Sequence, residues 1–252
     1  MTEQLAVAVL GAHGRMGAEA VKAVEAAQDL KLVAALGRND SLDELVESGA
    51  QVVVDLTVPG STEANVTFAV EHGLNAVVGT TGWSPDRLER LEALLAARPG
   101  TGVLIAPNFA LGSVLASAFA AKASRYFESV EIIELHHPEK VDAPSGTAVR
   151  TAQLIAAERA DAGVAVSPDA TMSERAGARG CEVDGVRVHS VRLRGLVAHQ
   201  EVLLGGPGEQ LTFRHDSFDR ASFMPGVLLG VRNVAAHPGL TVGLDGYLDL
   251  GL

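Results

Sequence analysis

The chain has a single cysteine, Cys181, among 252 residues. One thiol can form neither an intramolecular disulfide nor a thiolate metal cage, which points to a reducing compartment. Basic residues are scarce as well: Lys and Arg together number 20 against 31 Asp and Glu, giving a net charge of −11. So acidic a chain repels DNA, RNA and anionic lipid, so no nucleic-acid partner is expected. Any anionic ligand then needs a local cluster of positive groups. No apolar run approaches the ~18 residues of a membrane helix, and Met1-Thr2-Glu3-Gln4 does not begin a signal peptide. The expectation is a soluble, cytoplasmic protein with no membrane partner. The sequence also lacks a G-x-S-x-G nucleophile elbow, and its tandem histidines have no third ligand at a metal-binding spacing, so no metal is expected. What is present is 47% apolar and 20% charged residues with 27 Gly. That balance excludes a disordered chain, a collagen and a coiled coil, and the length suits one or two domains with a sizeable core.

Short apolar runs at Leu5–Leu10, Leu30–Leu36, Val52–Thr57, Leu74–Gly79 and Val103–Ala106 alternate with amphipathic segments near Met16–Ala27, Leu42–Ser48, Thr62–His72 and Pro85–Ala97. This alternation predicts a Rossmann-like, doubly wound parallel sheet covered on both faces, in an α/β protein. After Asn108 the texture changes. A helix is expected over Leu111–Phe127 with Ala, Val, Leu and Phe on its buried side, then a strand over Val130–His137 and a helix from Ser145 to Ala160. Val186–Leu193, Leu196–Leu204 and Gln210–Asp216, separated by glycine-rich turns, predict a mostly antiparallel sheet in a second, α+β domain. A last helix over Ala221–Ala235 precedes Leu240–Leu250.

The first run leads into Gly11-Ala12-His13-Gly14-Arg15-Met16-Gly17. Glycines at a strand–turn–helix junction permit a tight turn and close approach of backbone N–H groups to a pyrophosphate, with the helix dipole favouring the anion. The spacing is G-x-x-G-x-x-G, not the usual G-x-G-x-x-G. Arg15 fits either a phosphate contact or a solvated surface charge. The acidic residue that usually ends the second strand is missing; Gly37-Arg38-Asn39-Asp40 stands there instead. Arg38 suits the 2′-phosphate of NADPH, while Asp40 suits a ribose hydroxyl of NADH. Gly79-Thr80-Thr81-Gly82 is either a lining of the nicotinamide pocket or an ordinary strand-end turn. Ala106-Pro107-Asn108-Phe109 is expected as a cofactor contact and interdomain hinge.

The stretch from Glu134 to Ala148 reads Glu-Leu-His-His-Pro-Glu-Lys-Val-Asp-Ala-Pro-Ser-Gly-Thr-Ala. A histidine can act as general acid near neutral pH, and Lys140 supplies a fixed charge or a second proton donor. Ser145 is placed to cap a helix whose first N–H groups, at Gly146 and Thr147, form a carboxylate-sized anion site. Taken singly, a tandem histidine is a surface pair and the helix start is only well capped. Together with Lys140 they favour a catalytic pocket. Cys181 reads as a packing or surface residue, Trp83 as packing against the next helix in preference to a cover for the nicotinamide pocket, and His189, His199 and His215 as core or interface groups as readily as ligands.

These motifs, with Arg214-His215-Asp216-Ser217 and Phe223-Met224-Pro225-Gly226, resemble the dihydrodipicolinate reductase family through nearly the whole length. The resemblance implies an NADPH- or NADH-dependent reduction of 4-hydroxy-tetrahydrodipicolinate, a dicarboxylate, in diaminopimelate and lysine biosynthesis. It implies that His136 is the proton donor, Lys140 a second donor, and His137, Gly146 and Thr147 substrate contacts. Gly11, Ala12, His13, Gly14, Arg15, Met16, Arg38, Gly79, Thr80, Thr81, Ala106, Pro107, Asn108 and Phe109 are then the nucleotide contacts. It further implies a discontinuous nucleotide domain, 1–108 with 217–252, a substrate and oligomerisation domain over 109–216, and a homotetramer. His13 and Gly37-Arg38 depart from the family pattern and bear on nucleotide preference. Another nicotinamide dehydrogenase of amino-acid metabolism, or a non-catalytic NAD(P)H-binding regulator, would share the glycine turn but has no need of the His136–Thr147 stretch.

Overall fold

The computed structural model describes residues 4–250. The chain divides into two compact units, one taking the chain up to Ala110 together with Arg220–Leu250, the other Leu111–Asp219. These divisions fall slightly beyond residues 108 and 216.

In the first unit the strands are β1 (Leu5–Leu10), β2 (Leu30–Leu36), β3 (Val52–Asp55), β4 (Asn75–Val78), β5 (Gly102–Ile105) and the last strand, β11 (Gly239–Val242). All neighbours pair in parallel, in the order β11-β5-β4-β3-β1-β2. The helices are α1 (Arg15–Ala26), α2 (Asp43–Glu47), α3 (Thr62–Glu71), α4 (Pro85–Ala96) and α7 (Met224–Asn233). Every residue of β3 and β5 is buried, as a parallel strand covered on both faces requires. On one face Val66, Val70, Leu91 and Leu95 of α3 and α4 pack against Ala76, Val78, Val103 and Ile105. On the other, α7 lies so close to the sheet that a Cβ at Gly230 would come within 2.9 Å of Leu104 Cδ2. The chain crosses the sheet between β2 and β3, so β1 marks a switch point, where α/β sheets bind ligands beyond the carboxyl ends of their strands.

The second unit holds β6 (Ser129–His136), β7 (Cys181–Val183), β8 (Val186–Arg192), β9 (Ala198–Gly206) and β10 (Glu209–Ser217), with α5 (Leu111–Ala123) and α6 (Gly146–Asp161). The strand order is β10-β9-β6-β8-β7, antiparallel except for the parallel pair β6–β8. Ile132, Val188, Val202 and Leu204 form one core with Ala120, Ala148, Ala152 and Ile155 of the two helices.

Three sequence expectations need correction. Helix α5 stops at Ala123, with a 3₁₀ turn over Ser124–Tyr126, and it buries Ser113, Ser117, Ala120 and Ala121, while Phe119 is 40% exposed. Small residues let it approach α6, where Ser117 Oγ and Thr151 Oγ1 lie 2.8 Å apart. Leu240–Leu250 is extended only as far as Val242, because Gly243 turns the chain at φ +100° into a 3₁₀ turn that buries Leu244. Strand β7 lies ahead of the first stretch read as strand. At three residues it is too short to show alternation.

Candidate active site

In the first unit, β1 delivers the chain into the glycine turn. Gly11 sits at φ +77°, and a Cβ there would come 2.7 Å from the Leu56 carbonyl oxygen. A Cβ at Gly17 would come 2.0 Å from Gly11 O, so only glycine lets α1 start against the turn. The Gly11 and Ala12 amides donate to Leu36 O and the Gly14 amide to Gly11 O. Helix α1 carries neither an acidic residue in its first turn nor a side-chain cap. Its leading N–H groups, which have no partners within the helix, therefore remain as an uncancelled anion site.

A cleft of about 610 Å³ opens beside this turn. Of the expected cofactor residues, Gly11, His13, Gly14, Arg15, Met16 and Arg38 line it, joined by Asp40 and by Leu56–Val58 beyond β3. Ala12 is buried behind the wall. The His13 ring lies against Gly37, whose amide donates to Asp40 Oδ2 at 2.7 Å.

Gly79, Thr80, Thr81, Ala106, Pro107, Asn108 and Phe109 are not among the residues lining this cleft. Ala106 and Phe109 are core residues, and Asn108 Oδ1 accepts the Ala110 amide at 2.8 Å. Thr80 connects to the cleft through Asp55, which is fully buried at the end of β3. Asp55 Oδ1 accepts from the Thr57 amide (2.9 Å), the Thr57 hydroxyl (2.6 Å) and the Thr80 hydroxyl (3.1 Å), and Oδ2 accepts from Asn65 Nδ2 (3.0 Å). Thr57 and Asn65 both line the cleft. Sequence reasoning missed Asp55. Its signal is a lone carboxylate ending an all-valine strand.

In the second unit, β6 carries Glu134 and His136 on one face, two residues apart. The Glu134 side chain is fully buried, and His136 Nδ1 lies 2.5 Å from its Oε2. Arg192, paired with His136 in the β6–β8 register, donates to both Glu134 oxygens at 2.9 and 2.8 Å and to Asp142 O at 2.7 Å. The Ser145 amide donates to Glu134 Oε1 at 3.2 Å. Burial by itself raises the Glu134 pKa, but hydrogen bonds from His136, Arg192 and Ser190 outweigh it and hold the group at about 2. Arg192 and Glu134 carried no role in the sequence reading. A carboxylate in phase with core-facing Ile132 was the available signal.

The chain turns beyond β6, where the Lys140 amide donates to His137 O. His137 Nδ1 lies 3.1 Å from Glu139 Oε2, and Lys140 Nζ lies 2.5 Å from Asp142 Oδ1. Asp142 Oδ2 accepts the Gly146 amide at 3.3 Å, and Ser145 Oγ caps α6 by accepting the Ala148 amide at 3.1 Å. Burial raises the Asp142 pKa, while Lys140 and the Gly146 amide lower it further, to a net value below the ordinary range. His136, His137, Lys140, Gly146 and Thr147 thus share one turn and helix start. His137 Nδ1, Lys140 Nζ and the Gly146 amide each meet a carboxylate of the same turn, whereas His136 Nδ1 meets Glu134 on the strand. Among the described residues no group of three or more His, Cys, Asp or Glu is placed to hold a metal ion, and no helix is long and apolar enough to cross a membrane.

Comparison with known proteins covers both units. The family model described as "Dihydrodipicolinate reductase, N-terminus" matches residues 5–109, and that described as "Dihydrodipicolinate reductase, C-terminus" matches residues 112–248. A 4-hydroxy-tetrahydrodipicolinate reductase of Streptomyces griseus is 65% identical over 98% of this chain and 99% of its own length. One from Streptomyces coelicolor is equally similar, 65% over 98% of this chain and 99% of its own. Among solved structures, a dipicolinate-bound dihydrodipicolinate reductase from Paenisporosarcina sp. TG-14 matches with a TM-score of 0.83 at 38% identity, covering 97% of this chain and all of that one. A myo-inositol 2-dehydrogenase from Lactobacillus plantarum, 13% identical with a TM-score of 0.63, shares the fold alone.

Proposed function

The chain belongs to the dihydrodipicolinate reductase family, and on that premise we propose which of its residues carry the reaction. It is an NAD(P)H-dependent oxidoreductase of the diaminopimelate and lysine pathway that reduces 4-hydroxy-tetrahydrodipicolinate to tetrahydrodipicolinate with loss of water. The observation that carries the assignment of roles is the turn joining His136, Lys140 and the Gly146 amide at one end of the second sheet.

The first unit is the dinucleotide-binding domain. Its glycine turn fits a pyrophosphate, since Gly11 and Gly17 leave no room for side chains and the start of α1 carries no competing acid. Arg15 adds positive charge in the same cleft, and Arg38 and Asp40 stand where a 2′-phosphate and a ribose hydroxyl are distinguished. Both NADPH and NADH are therefore substrates, with Arg38 favouring NADPH. Asp55 orients Thr80, which with Gly79 and Thr81 serves the nicotinamide end. From Ala106, Pro107, Asn108 and Phe109 the contact is through backbone, because the Ala106 and Phe109 side chains are buried in the core. When bound, the nucleotide supplies a hydride, and the protein supplies orientation and charge.

The second unit binds the dicarboxylate substrate. Lys140, the Gly146 amide and Thr147 take one carboxylate at the helix start, and His137 contacts the substrate from the strand end. Loss of hydroxide as water and addition of a hydride together require one proton, which His136 delivers, with Lys140 as second donor. The enzyme works in the cytoplasm, where its nucleotide is, and assembles as a homotetramer through the second unit. The test couples the protein to a dihydrodipicolinate synthase fed pyruvate and aspartate semialdehyde, following NADPH and NADH oxidation. Synthase-dependent oxidation is expected with both. None with either, from folded protein that binds NADPH, overturns the assignment.

A further inference from the structure

We propose that Glu134 is the positioning residue for His136: its carboxylate keeps a ring proton on Nδ1 and so presents Nε2 as the nitrogen that hands a proton to the substrate. The proposal rests on the role given to His136 above and adds the group that acts through it.

The argument begins with placement. Glu134 occupies a core-facing position of β6, in phase with buried Ile132, and its side chain is fully inaccessible. A carboxylate there is strongly destabilising unless it is paired and hydrogen-bonded. Arg192 alone satisfies that need, with one N–H on each oxygen. Yet Oε2 takes a second partner, His136 Nδ1 at 2.5 Å, and Oε1 also takes the Ser145 amide, at the cap of α6. One buried carboxylate therefore joins the proposed proton donor to the start of the proposed anion site.

The direction of the His136 bond follows from charge. Glu134 is held far below neutrality, so it is ionised and can only accept. The proton between the two groups accordingly belongs to Nδ1, and Nε2 is the nitrogen available to the substrate. From the imidazolium, the Nε2–H bond breaks as the proton moves to the substrate atom that needs it. The ring is left neutral, still carrying Nδ1–H on Glu134, and solvent restores the Nε2 proton. Without the carboxylate the neutral ring has no reason to keep its proton on Nδ1, nor to hold its rotamer. In a catalytic histidine, a wrong tautomer forfeits much of the benefit of acid–base catalysis.

The test uses the full-length protein labelled with ¹⁵N-histidine, the His136 signals being identified by their loss in His136→Gln. In wild type, the neutral ring is expected to show a protonated Nδ1 and an unprotonated Nε2. In Glu134→Gln, which keeps the size and removes the charge, the tautomers should mix and kcat should fall by about 10²-fold, within the range that one general acid contributes. KM for substrate should change much less than kcat. An unprotonated Nδ1 in wild type overturns the proposal, as does a Glu134→Gln variant that loses the tautomer yet keeps wild-type kcat. Should Glu134→Gln fail to fold, the wild-type spectrum and the shortened carboxylate of Glu134→Asp decide. Absence of synthase-dependent turnover by wild type strikes at the reduction itself, whereas the ring nitrogens report on Glu134 separately.

Discussion

The Asp142 carboxylate lies 2.5 Å from the Lys140 ammonium and takes the Gly146 amide on its other oxygen. These are the donors proposed above for a substrate carboxylate, and on that proposal Asp142 is an internal competitor for them. Asp142→Asn removes that competitor while keeping its size. Dipicolinate, a dicarboxylate, should then bind roughly 2- to 5-fold more tightly by calorimetry, the worth of one exposed ion pair. Unchanged or weaker binding would mean that Asp142 supports the turn rather than competing for its donors.

Arg38 is exposed and lines the cleft beside the glycine turn, where the nucleotide is proposed to bind. Replacing it with alanine should raise KM for NADPH about 10-fold or more, as expected for a lost charge-assisted hydrogen bond, and leave KM for NADH nearly unchanged. Steady-state kinetics with the two nucleotides decide this. An equal loss with both would assign Arg38 to the shared pyrophosphate or adenine rather than to the 2′-phosphate.

Gly17→Ala places a methyl group 2.0 Å from Gly11 O, too close for any rotamer to relieve. Helix α1 must shift from the turn, at a cost of about 1–3 kcal/mol in stability. The melting temperature should fall and NADPH affinity should fall with it, by fluorescence titration. Normal affinity at a lowered melting temperature would separate the packing of α1 from the binding of the anion.

Acid stability should carry the mark of Glu134. Its pKa in the folded state is about 2 against 4.5 for an ordinary glutamate. A depressed carboxylate contributes stability that is complete above the unfolded value and is lost as pH falls toward the folded one. Urea unfolding of wild type should therefore weaken between about pH 4.5 and pH 2. The same curve for Glu134→Gln should slope less over that window, with a lower plateau at neutral pH. Parallel curves for the two proteins would show that Glu134 is not held low in the native state.

Much of the first unit was legible because β3, β4 and β5 are short, largely buried runs and α1 and α4 carry a clear helical period. Val52-Val53-Val54 announces a strand covered on both faces, and Ser84-Pro85 announces the start of α4, where Ser84 accepts the Arg87 amide. The second site was legible where its residues are consecutive, from His136 to Thr147. What escaped is held together by distant partners. Arg192 reaches Glu134 across 58 residues, and Thr80 reaches Asp55 across 25. Neither separation leaves a local pattern, since strand register alone brings the groups together. The Lys140–Asp142 pair was also missed, although its members are two apart, because spacing does not reveal which side chains a turn folds inward.

The one parallel pair in the second sheet, β6 with β8, governs when its site comes into being. Hairpins close early because their strands are neighbours in sequence, but a parallel pair needs a long crossover and its loop-closure entropy falls due before any contact offsets it. Glu134 waits on β6 for an arginine that is the last residue of β8. Until that crossover closes the carboxylate lacks its Arg192 partner, so the Glu134–Arg192 pair and the centre of the sheet are completed in the same step. A chain that has folded only its β9–β10 hairpin has secondary structure but not yet the Glu134–Arg192 pair at the end of β6.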